Sequence, residues 1–347
     1  MNTQECFSSR VLEVSDAFEA NELFQDQGWT DGLPIVPPTE SGVRSFLSHA
    51  GLEANTIIGF EPVRRRQITA EKVAIAALMA GCRAQYMPVV VAVVRAMCEP
   101  PFCLHGSTAS TGGCAPMVVV NGPIRQKIGM NATHNVLANG SRANASMGRS
   151  IRLLLINVLG SHPGQLDRST LGHAGKYSFC FAEDEEDSPW VPLAVERGVP
   201  VGTSAVTVMS AESPHQIMND WTQDPKDILD TYAAAIRANM LTYSIWSGNY
   251  ALIIPKQHRT FFAEAKWSKQ NIRDYVFEKA CVSRKEWRQV GKTAVAGLKD
   301  ENKVYTALRT PEDLLVIAAG GPAGGFGAIV PPWYGQKSLA VTVAIDD

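Results

Sequence analysis

The chain has 347 residues, with 32 Lys and Arg against 34 Asp and Glu, which gives a formal net charge of −2. Charged residues make up 19% and hydrophobic residues 45%, a composition that excludes a disordered chain and a polycation for nucleic acid. A chain of this length buries a large core, in one large domain or two ordinary ones.

The first half of the chain predicts an irregular, partly helical lead-in over residues 1–38, followed by helices and short buried strands. Thr39 and Gly51 are residue types that begin and end helices, and Pro88 suits a first helical turn. Residues 129–144 are predicted as a loop. Apolar runs and capping residues predict helices over 39–49, 69–80, 88–99 and 144–159, and strands over 56–60 and 117–120.

The second half continues the alternation and ends in a glycine loop at 320–327, which lacks the lysine of a P-loop. Strands are predicted over 177–182, 204–209, 250–254, 314–319 and 338–345, and helices over 188–196, 227–243, 258–267, 269–281 and 283–289. The alternation predicts an α/β fold with a mixed layered sheet and flanking helices. We expect one domain over 39–347, with a candidate seam between two lobes near 100–145.

The start of the chain, MNTQECFSSR, has no apolar segment of the kind that a secretory signal needs. The most apolar stretch, 87–97, carries Arg95 and is shorter than the roughly 18 residues of a membrane span. The seven cysteines contain no CxxC pair, which argues against a disulfide framework and a structural zinc site. We therefore expect a cytoplasmic protein without a membrane or nucleic-acid partner, and its low charge content favours a homo-oligomer.

Charge is unevenly distributed along the chain. No acidic residue occurs in the 67 residues between Glu99 and Asp167, and an acidic run follows at 183–187. The stretch without acids contains Arg125, Lys127, Arg142, Arg149 and Arg152.

Three of these arginines lie on or just before one predicted helix. Arg149 and Arg152 are three residues apart and share a helical face, and Arg142 precedes the helix. Guanidinium groups near a helix N-terminus suit a carboxylate or a phosphate, so the pattern predicts a site for a small anionic molecule. The alternative is a structural ion network with the acidic run.

Two cysteine motifs lie before the strand predicted at 117–120. Cys114 follows two glycines, which allow a ligand close to the backbone, and its basic surroundings would lower the thiol pKa and favour a nucleophile. The alternative is a buried cysteine that acts as a small hydrophobic residue. Cys103 and His105 have the spacing of a metal-binding pair on a strand, but no further pair accompanies them. We predict no cofactor and keep this metal site as a minor alternative.

Histidines are concentrated in the loops of the same region, where acid–base residues are commonly found. His173 precedes a predicted strand and is followed by Lys176, a cation or acid–base group, so His173 and His105 are the preferred candidates. Glu183 ends that strand, a position where α/β proteins bind ligands. Its alternative role is to complement the N-terminus of the next helix. The four loop histidines are His105, His134, His162 and His173.

Residues 28–39, GWTDGLPIVPPT, form the most distinctive motif of the chain. Together with later segments they resemble a bacterial family that is associated with UGSC-motif (seleno)proteins. The resemblance covers most of the chain and adds Asp31, Asn121 and Asn144 as candidate substrate-binding residues. The other matching segments are 119–123, 142–144, 148–149, 172–177, 182–190 and turns near 320.

The resemblance implies thiol or selenol chemistry that involves a second, small protein, without assigning a reaction. This sequence departs from the family at two places. Members of the family carry Ala or Pro where Cys114 stands, which makes Cys114 a feature of a subgroup. The loop at 320–327 is also richer in glycine here, which puts a shared ligand role of that loop in doubt.

These patterns favour a cytoplasmic enzyme that acts on a small anionic organic substrate. Arg142 and Arg149 would hold the anion, His173 or His105 would transfer protons, and Cys114 would act as nucleophile or redox thiol. A lyase or a thiol-dependent elimination fits best, followed by a hydrolase or a thiol oxidoreductase.

Two alternatives remain open. The chain is a non-catalytic binding subunit whose thiol or selenol lies on a small UGSC-type partner protein, or it is a metalloenzyme that uses Cys103, His105 and a third ligand. The presence of a gene for such a small protein beside this one, or of stoichiometric metal in the purified protein, would distinguish them.

Overall fold

Helices and short strands alternate along residues 7–296 and 300–346, which are described by a computed structural model. This alternation confirms the mixed α/β fold. The first half contains α1 (Ala17–Asp26), α2 (Glu40–His49), β1 (Ile57–Glu61), β2 (Arg66–Thr69), α3 (Ala70–Met79), α4 (Met87–Cys98), α5 (Leu104–Thr108), β3 (Ala115–Asn121), α6 (Ile124–Lys127), α7 (Arg142–Asn157), β4 (Cys180–Ala182), α8 (Leu193–Glu196) and β5 (Ala205–Ala211). The second half contains β6 (His215–Met218), α9 (Pro225–Thr242), β7 (Tyr250–Ile254), α10 (Lys256–Glu264), α11 (Lys269–Lys279), β8 (Cys281–Ser283), α12 (Arg284–Gln289), α13 (Thr293–Ala296), β9 (Val304–Thr306), β10 (Leu314–Ala318), β11 (Phe326–Val330) and β12 (Val341–Ala344).

Two four-stranded sheets stack face to face, and helices cover their outer faces. The first sheet has the order β12-β5-β3-β4 and the second the order β10-β7-β11-β6. In β3, Val118 and Val120 pack against helices, whereas Met117 and Val119 pack in the core between the two sheets. Strands β7 and β10 alternate in the same way. Since side chains alternate between the faces of a sheet, this pattern builds four layers in the order helix, sheet, sheet, helix.

Both sheets are mixed. In the first, β3 pairs parallel with β4 and antiparallel with β5, and in the second, β7 pairs parallel with β10 and antiparallel with β11. The chain passes from the first sheet to the second between Ala211 and His215, and it returns with β12. Residues 100–145, where the sequence suggested a seam between two lobes, contribute β3 to the first sheet. Gly112 and Gly113 lie in the loop that precedes this buried strand.

Most predicted elements are present, with ends shifted by a few residues. Thr39 and Ser141 cap their helices by accepting hydrogen bonds from the N–H groups of Gly42 and Asn144. The helix predicted over 188–196 shrinks to α8 because the N–H of Leu193 donates to the buried carboxylate of Glu183, and the residues before it form a turn. Strands β2, β6, β8, β9 and β11 are short, and the sequence did not predict them.

The lead-in predicted over 1–38 contains α1 and extended segments that pack on the first half of the fold, and residues 1–6 lie outside the described residues. Within the described ranges, no single helix is long and apolar enough to cross a membrane, although the bent pair Ala84–Cys98 and Pro100–Thr108 together meets both criteria.

Candidate functional site

Cys114 lies at the entry to β3, beside the end of β5. Its side chain is buried, at 5% exposure, and its thiol donates a hydrogen bond to the carbonyl oxygen of Ser107 at 3.1 Å. Beside the thiol is a cavity of about 20 Å³ that Lys176, Asp167 and Ser210 also line. A cavity of that size holds about one water molecule. We call this space, with the residues that line it, the Cys114 cavity.

The glycines before Cys114 serve the packing of the chain. A Cβ atom on Gly113 would lie 2.8 Å from the Cα atom of Gly172. The backbone of Gly172 therefore occupies the space beside Gly113 where the sequence suggested a ligand. This contact brings His173 and Lys176 next to the start of β3, so three of the predicted catalytic residues share one neighbourhood.

The pKa of the Cys114 thiol is raised, which is opposite to the expected direction. Burial is the main cause, and the carboxylate of Glu212 adds to it, whereas Lys176 opposes it. The expectation was wrong mainly because the thiol is buried, and also because Glu212 and Asp167, which lie outside the acid-free stretch, are close enough to raise its pKa. Cys114 is consequently a neutral thiol at neutral pH and needs a base before it can act as a nucleophile.

Two cations converge on one carboxylate at the cavity. The ammonium group of Lys176 donates to the Asp167 oxygens at 2.7 and 2.9 Å and to the Ser169 hydroxyl at 2.6 Å. The Arg152 guanidinium donates to the same carboxylate at 3.0 Å. These three charged side chains, the Asp167 cluster, carry two positive charges and one negative charge, and the nearby carboxylate of Glu212 offsets the excess when it is ionised. The cluster therefore attracts an anion when Glu212 is protonated.

The acid stability of the protein is expected to depend on Asp167. Burial opposes ionisation of Asp167, but hydrogen bonds from Lys176 and Ser169 lower its pKa to about 2. The pKa of Asp167 is lower in the folded protein than in the unfolded chain, where it is about 4. The ionised carboxylate therefore stabilises the folded protein above about pH 4, and this stabilisation is lost as the pH falls towards about 2. We expect Asp167→Asn to cost about 2 kcal/mol at pH 7 and to weaken the pH dependence below about pH 4 in urea denaturation. If the free energy of unfolding of Asp167→Asn depended on pH in the same way as that of the unchanged protein, this role of Asp167 would be contradicted.

His173 is held in the neutral form. Burial lowers its pKa, the Ala211 backbone offsets part of this effect, and the nearby charge of Lys176 lowers the pKa further. Its Nδ1 accepts a hydrogen bond from the N–H of Gly175 at 3.1 Å, which assigns the proton of the neutral ring to Nε2. Nε2 is buried and lacks a hydrogen bond of normal geometry within the described residues. His173 thus presents an unsatisfied donor beside the end of β5.

Glu212, Ser210 and Tyr243, like Asp167, belong to this neighbourhood but were missed from the sequence. Glu212 directly follows β5 and accepts a hydrogen bond from the Tyr243 hydroxyl. Burial raises the pKa of Glu212, and Tyr243 and Lys176 oppose that rise. The Ser210 hydroxyl is buried without a hydrogen-bond partner among the described residues. Glu212 is the first acid after a seven-residue buried strand, the same signal that singled out Glu183, whereas nothing in the sequence marks Tyr243.

His105 lies in a different environment from His173. Its Nδ1 is buried without a hydrogen bond in the described part of the chain and lies 3.9 Å from an oxygen of Glu61. Arg64 links Glu61 to the Thr108 hydroxyl, which lines the Cys114 cavity. His105 is therefore connected to the cavity indirectly, through α5 and through Glu61 and Arg64. Within residues 7–296 and 300–346, no group of three His, Cys, Asp or Glu side chains is placed to hold a metal ion.

Glu183 is enclosed in a network of hydrogen bonds and ion pairs. One carboxylate oxygen lies 3.2 Å from the Lys269 ammonium group, and the other accepts from Asn121 and from the Leu193 N–H, each at 2.7 Å. Lys269 also lies 3.0 Å from Glu196. These contacts occupy Glu183 and Asn121 at the ends of β4 and β3, so the structure does not bring either residue to Cys114.

The rest of the acidic run is paired in the same way. Arg125 contacts Glu185 and Glu186, and Arg259 contacts Asp184. Among the basic residues of the acid-free stretch, Arg125 thus follows the structural alternative. The other cations that pair with the acidic run in the described part of the chain lie on α10 and α11.

Arg149 binds the lead-in, so the predicted pairing of Arg142 and Arg149 on an anion is not formed. Two nitrogens of Arg149 donate to the two oxygens of Asp31 at 2.8 Å each, and one also donates to the Pro34 carbonyl at 2.8 Å. The Arg149 donors are occupied because the GWTDGLP segment supplies the Asp31 carboxylate and the backbone carbonyls. Arg142 donates to the Gly81 carbonyl. The Asn144 side chain accepts a hydrogen bond from the N–H of Asn131 and donates one to its carbonyl oxygen.

The Arg149 contact makes a prediction about stability. The side chains of Asp31 and Arg149 are only 3% and 15% exposed, so removal of one leaves a buried charge unpaired. We expect Arg149→Ala to lower the free energy of unfolding by about 3 kcal/mol, and Arg149→Lys to recover little of it because lysine cannot form the paired contact. Urea denaturation of both variants measures this. Equal stability of Arg149→Lys and the unchanged protein would rule out the paired contact.

The Cys114 cavity therefore combines a thiol, a hydroxyl without a partner among the described residues, and the Asp167 cluster, and three acid–base groups lie nearby: Glu212, Tyr243 and His173.

No protein-family model matches the chain, and no curated protein sequence matches it significantly.

Proposed function

We propose that the protein is a cytoplasmic enzyme that acts on a small anionic organic molecule by a lyase-type reaction in which protons are transferred. The substrate binds beside the Cys114 cavity, which itself admits only a group of about the size of a water molecule. One observation carries this proposal. The Cys114 thiol, the Lys176 ammonium group and the unpartnered Ser210 hydroxyl line the same buried space. The acid–base groups Glu212 and His173 do not line this space but lie close enough to interact electrostatically with Lys176, which does. Such interactions are strong in a low-dielectric environment.

Lys176 and Arg152 supply the charge that attracts the substrate. Both already pair with Asp167, and one positive charge is in excess when Glu212, which lies near Lys176, is protonated. A substrate carboxylate close to this cluster gains a charge-assisted hydrogen bond. These two side chains replace Arg142 and Arg149 as the anion-binding residues of the proposal.

Glu212 and His173 supply acid–base chemistry. Burial raises the pKa of Glu212 towards neutrality, and it lowers that of His173, which keeps the imidazole neutral and able to accept a proton. General acids and bases work best with pKa values near the working pH. Glu212 accepts a proton from the substrate or from the Cys114 thiol, and the Tyr243 hydroxyl bonded to its carboxylate orients it.

Proton NMR in D₂O tests the proposal with a set of candidate acids, so the substrate need not be identified first. The protein is incubated with short hydroxy-, keto- and unsaturated carboxylic acids, and the loss of C–H signals or the appearance of products is followed. We expect one chemical class to exchange or react. If none of them exchanges or reacts with the folded protein, the proposal is contradicted.

The Cys114→Ser variant in the same assay separates two versions of the reaction. Loss of turnover together with unchanged thermal stability supports a role of the thiol in the reaction. Unchanged turnover removes the thiol from the mechanism and leaves Glu212 and His173 as the proton-transfer groups.

A further inference from the structure

A second pocket, separate from the Cys114 cavity, is lined by basic side chains. It lies where the β1–β2 hairpin, the first turn of α3 and the end of α7 meet, and its volume of about 570 Å³ is that of a small-molecule site. Arg65, Arg66 and Lys72 line it, and none of its lining residues is acidic. None of them lines the Cys114 cavity either. We call it the Arg65 pocket.

The positive charges of the Arg65 pocket are poorly compensated. Arg65 and Arg66 are exposed and form no ion pair within residues 7–296 and 300–346. Lys72 donates to the Ser9 hydroxyl at 2.8 Å. The adjacent carboxylate of Glu71 is occupied by four hydrogen bonds, which come from the N–H and hydroxyl groups of Ser8 and Ser9.

Polar groups that suit an oxygen-rich ligand complete the lining. Thr69 lines the pocket, and its hydroxyl is buried without a hydrogen-bond partner among the described residues. Ser8, Gln67 and Asn157 also line it. The Ser8 hydroxyl already donates to Glu71 and one Asn157 N–H to the Trp29 carbonyl, so the Gln67 amide and the Thr69 hydroxyl are the neutral donors for a ligand. Neutral donors of this kind add hydrogen bonds to a bound anion while the cations neutralise its charge.

We propose that the Arg65 pocket binds a small molecule that carries a multiply charged phosphate group, such as a phosphate monoester or a diphosphate. Two arginines present paired planar donors that match phosphate oxygens, and lysine adds a further positive charge. A single carboxylate would neutralise one of these three charges, whereas a phosphate monoester or a diphosphate compensates more of them in one compact group. This site is additional to the proposed reaction at the Cys114 cavity.

Isothermal titration calorimetry of the full chain with pyrophosphate and with inorganic phosphate tests the proposal. We expect one saturable site that weakens as sodium chloride is added. The double variant Arg65→Gln/Arg66→Gln is expected to bind pyrophosphate more weakly by a factor of about ten or more. The control Arg83→Gln/Lys127→Gln removes the same charge from exposed positions outside the pocket and is expected to keep the affinity of the unchanged protein.

A second variant tests binding at the Arg65 pocket without changing either arginine. Gln67→Glu introduces a negative charge at an exposed position of β2 and is expected to weaken pyrophosphate binding as well. The absence of saturable binding, or equal affinity in the double variant and its control, overturns the proposal. Tighter binding of citrate than of pyrophosphate overturns the assignment to phosphate.

Discussion

Replacement of Lys269 by Met is expected to lower the free energy of unfolding by about 3–5 kcal/mol. Lys269 is 3% exposed and lies between the carboxylates of Glu183 and Glu196. Without its ammonium group, the buried Glu183 keeps a negative charge that its hydrogen-bond donors alone do not neutralise. Urea denaturation at neutral pH measures the loss, and far-UV circular dichroism confirms that the variant folds.

A matched control is available on the neighbouring helix. Lys256 on α10 pairs with Asp187 of the same acidic run, but both side chains are about half exposed. Solvent screens such a pair, so Lys256→Met is expected to cost about 0–1 kcal/mol. If Lys269→Met cost no more than this control, the buried network would not have the structural role that its geometry indicates.

Replacement of Lys176 by Met is expected to reduce turnover of the reacting acid by about 100-fold or more. The substitution removes the cation that lines the Cys114 cavity and leaves Asp167 paired with Arg152 alone. The substrate anion then loses its attraction, and the reacting groups lose the charge that stabilises developing negative charge. We expect KM to rise and kcat to fall, as measured by the NMR assay under initial-rate conditions.

Two further variants serve as controls for Lys176→Met. Lys226→Met removes an exposed lysine that lies far from the cavity in sequence and outside its lining, and it is expected to retain full turnover. Lys176→Arg keeps the charge with a different geometry and is expected to retain part of the turnover. Turnover in Lys176→Met equal to that in Lys226→Met would place the reaction elsewhere.

The sequence predicts the layered α/β fold because its strongest signals are local. The buried strand at 250–254 and the helix at 227–243 are long apolar or amphipathic runs with capping residues, and both are found almost as predicted. Strand β11 was missed because it begins inside a glycine loop, and β6 because its hydrogen bonds come from a strand more than a hundred residues away. Pairing partners at such distances leave no local pattern.

The candidate site is only partly predictable for the same reason. Cys114, His173 and Lys176 belong to one glycine-rich region, and a backbone contact between Gly113 and Gly172 brings them together. The partner of Arg149 is Asp31, which is 118 residues away, so a free arginine pair could not be excluded from spacing. Charge segregation along the chain likewise does not persist in space, because Glu212 and Asp167 fold against the basic stretch.

A crystal structure with the acid that reacts in the NMR assay, or with an unreactive analogue, tests the proposed site most directly. We expect the carboxylate of the ligand within about 3 Å of Lys176 or Arg152, with its reacting carbon next to Glu212, His173 or the Cys114 thiol. A ligand bound between Arg142 and Arg149, or in the Arg65 pocket, with the Cys114 cavity unchanged, would contradict the proposed function.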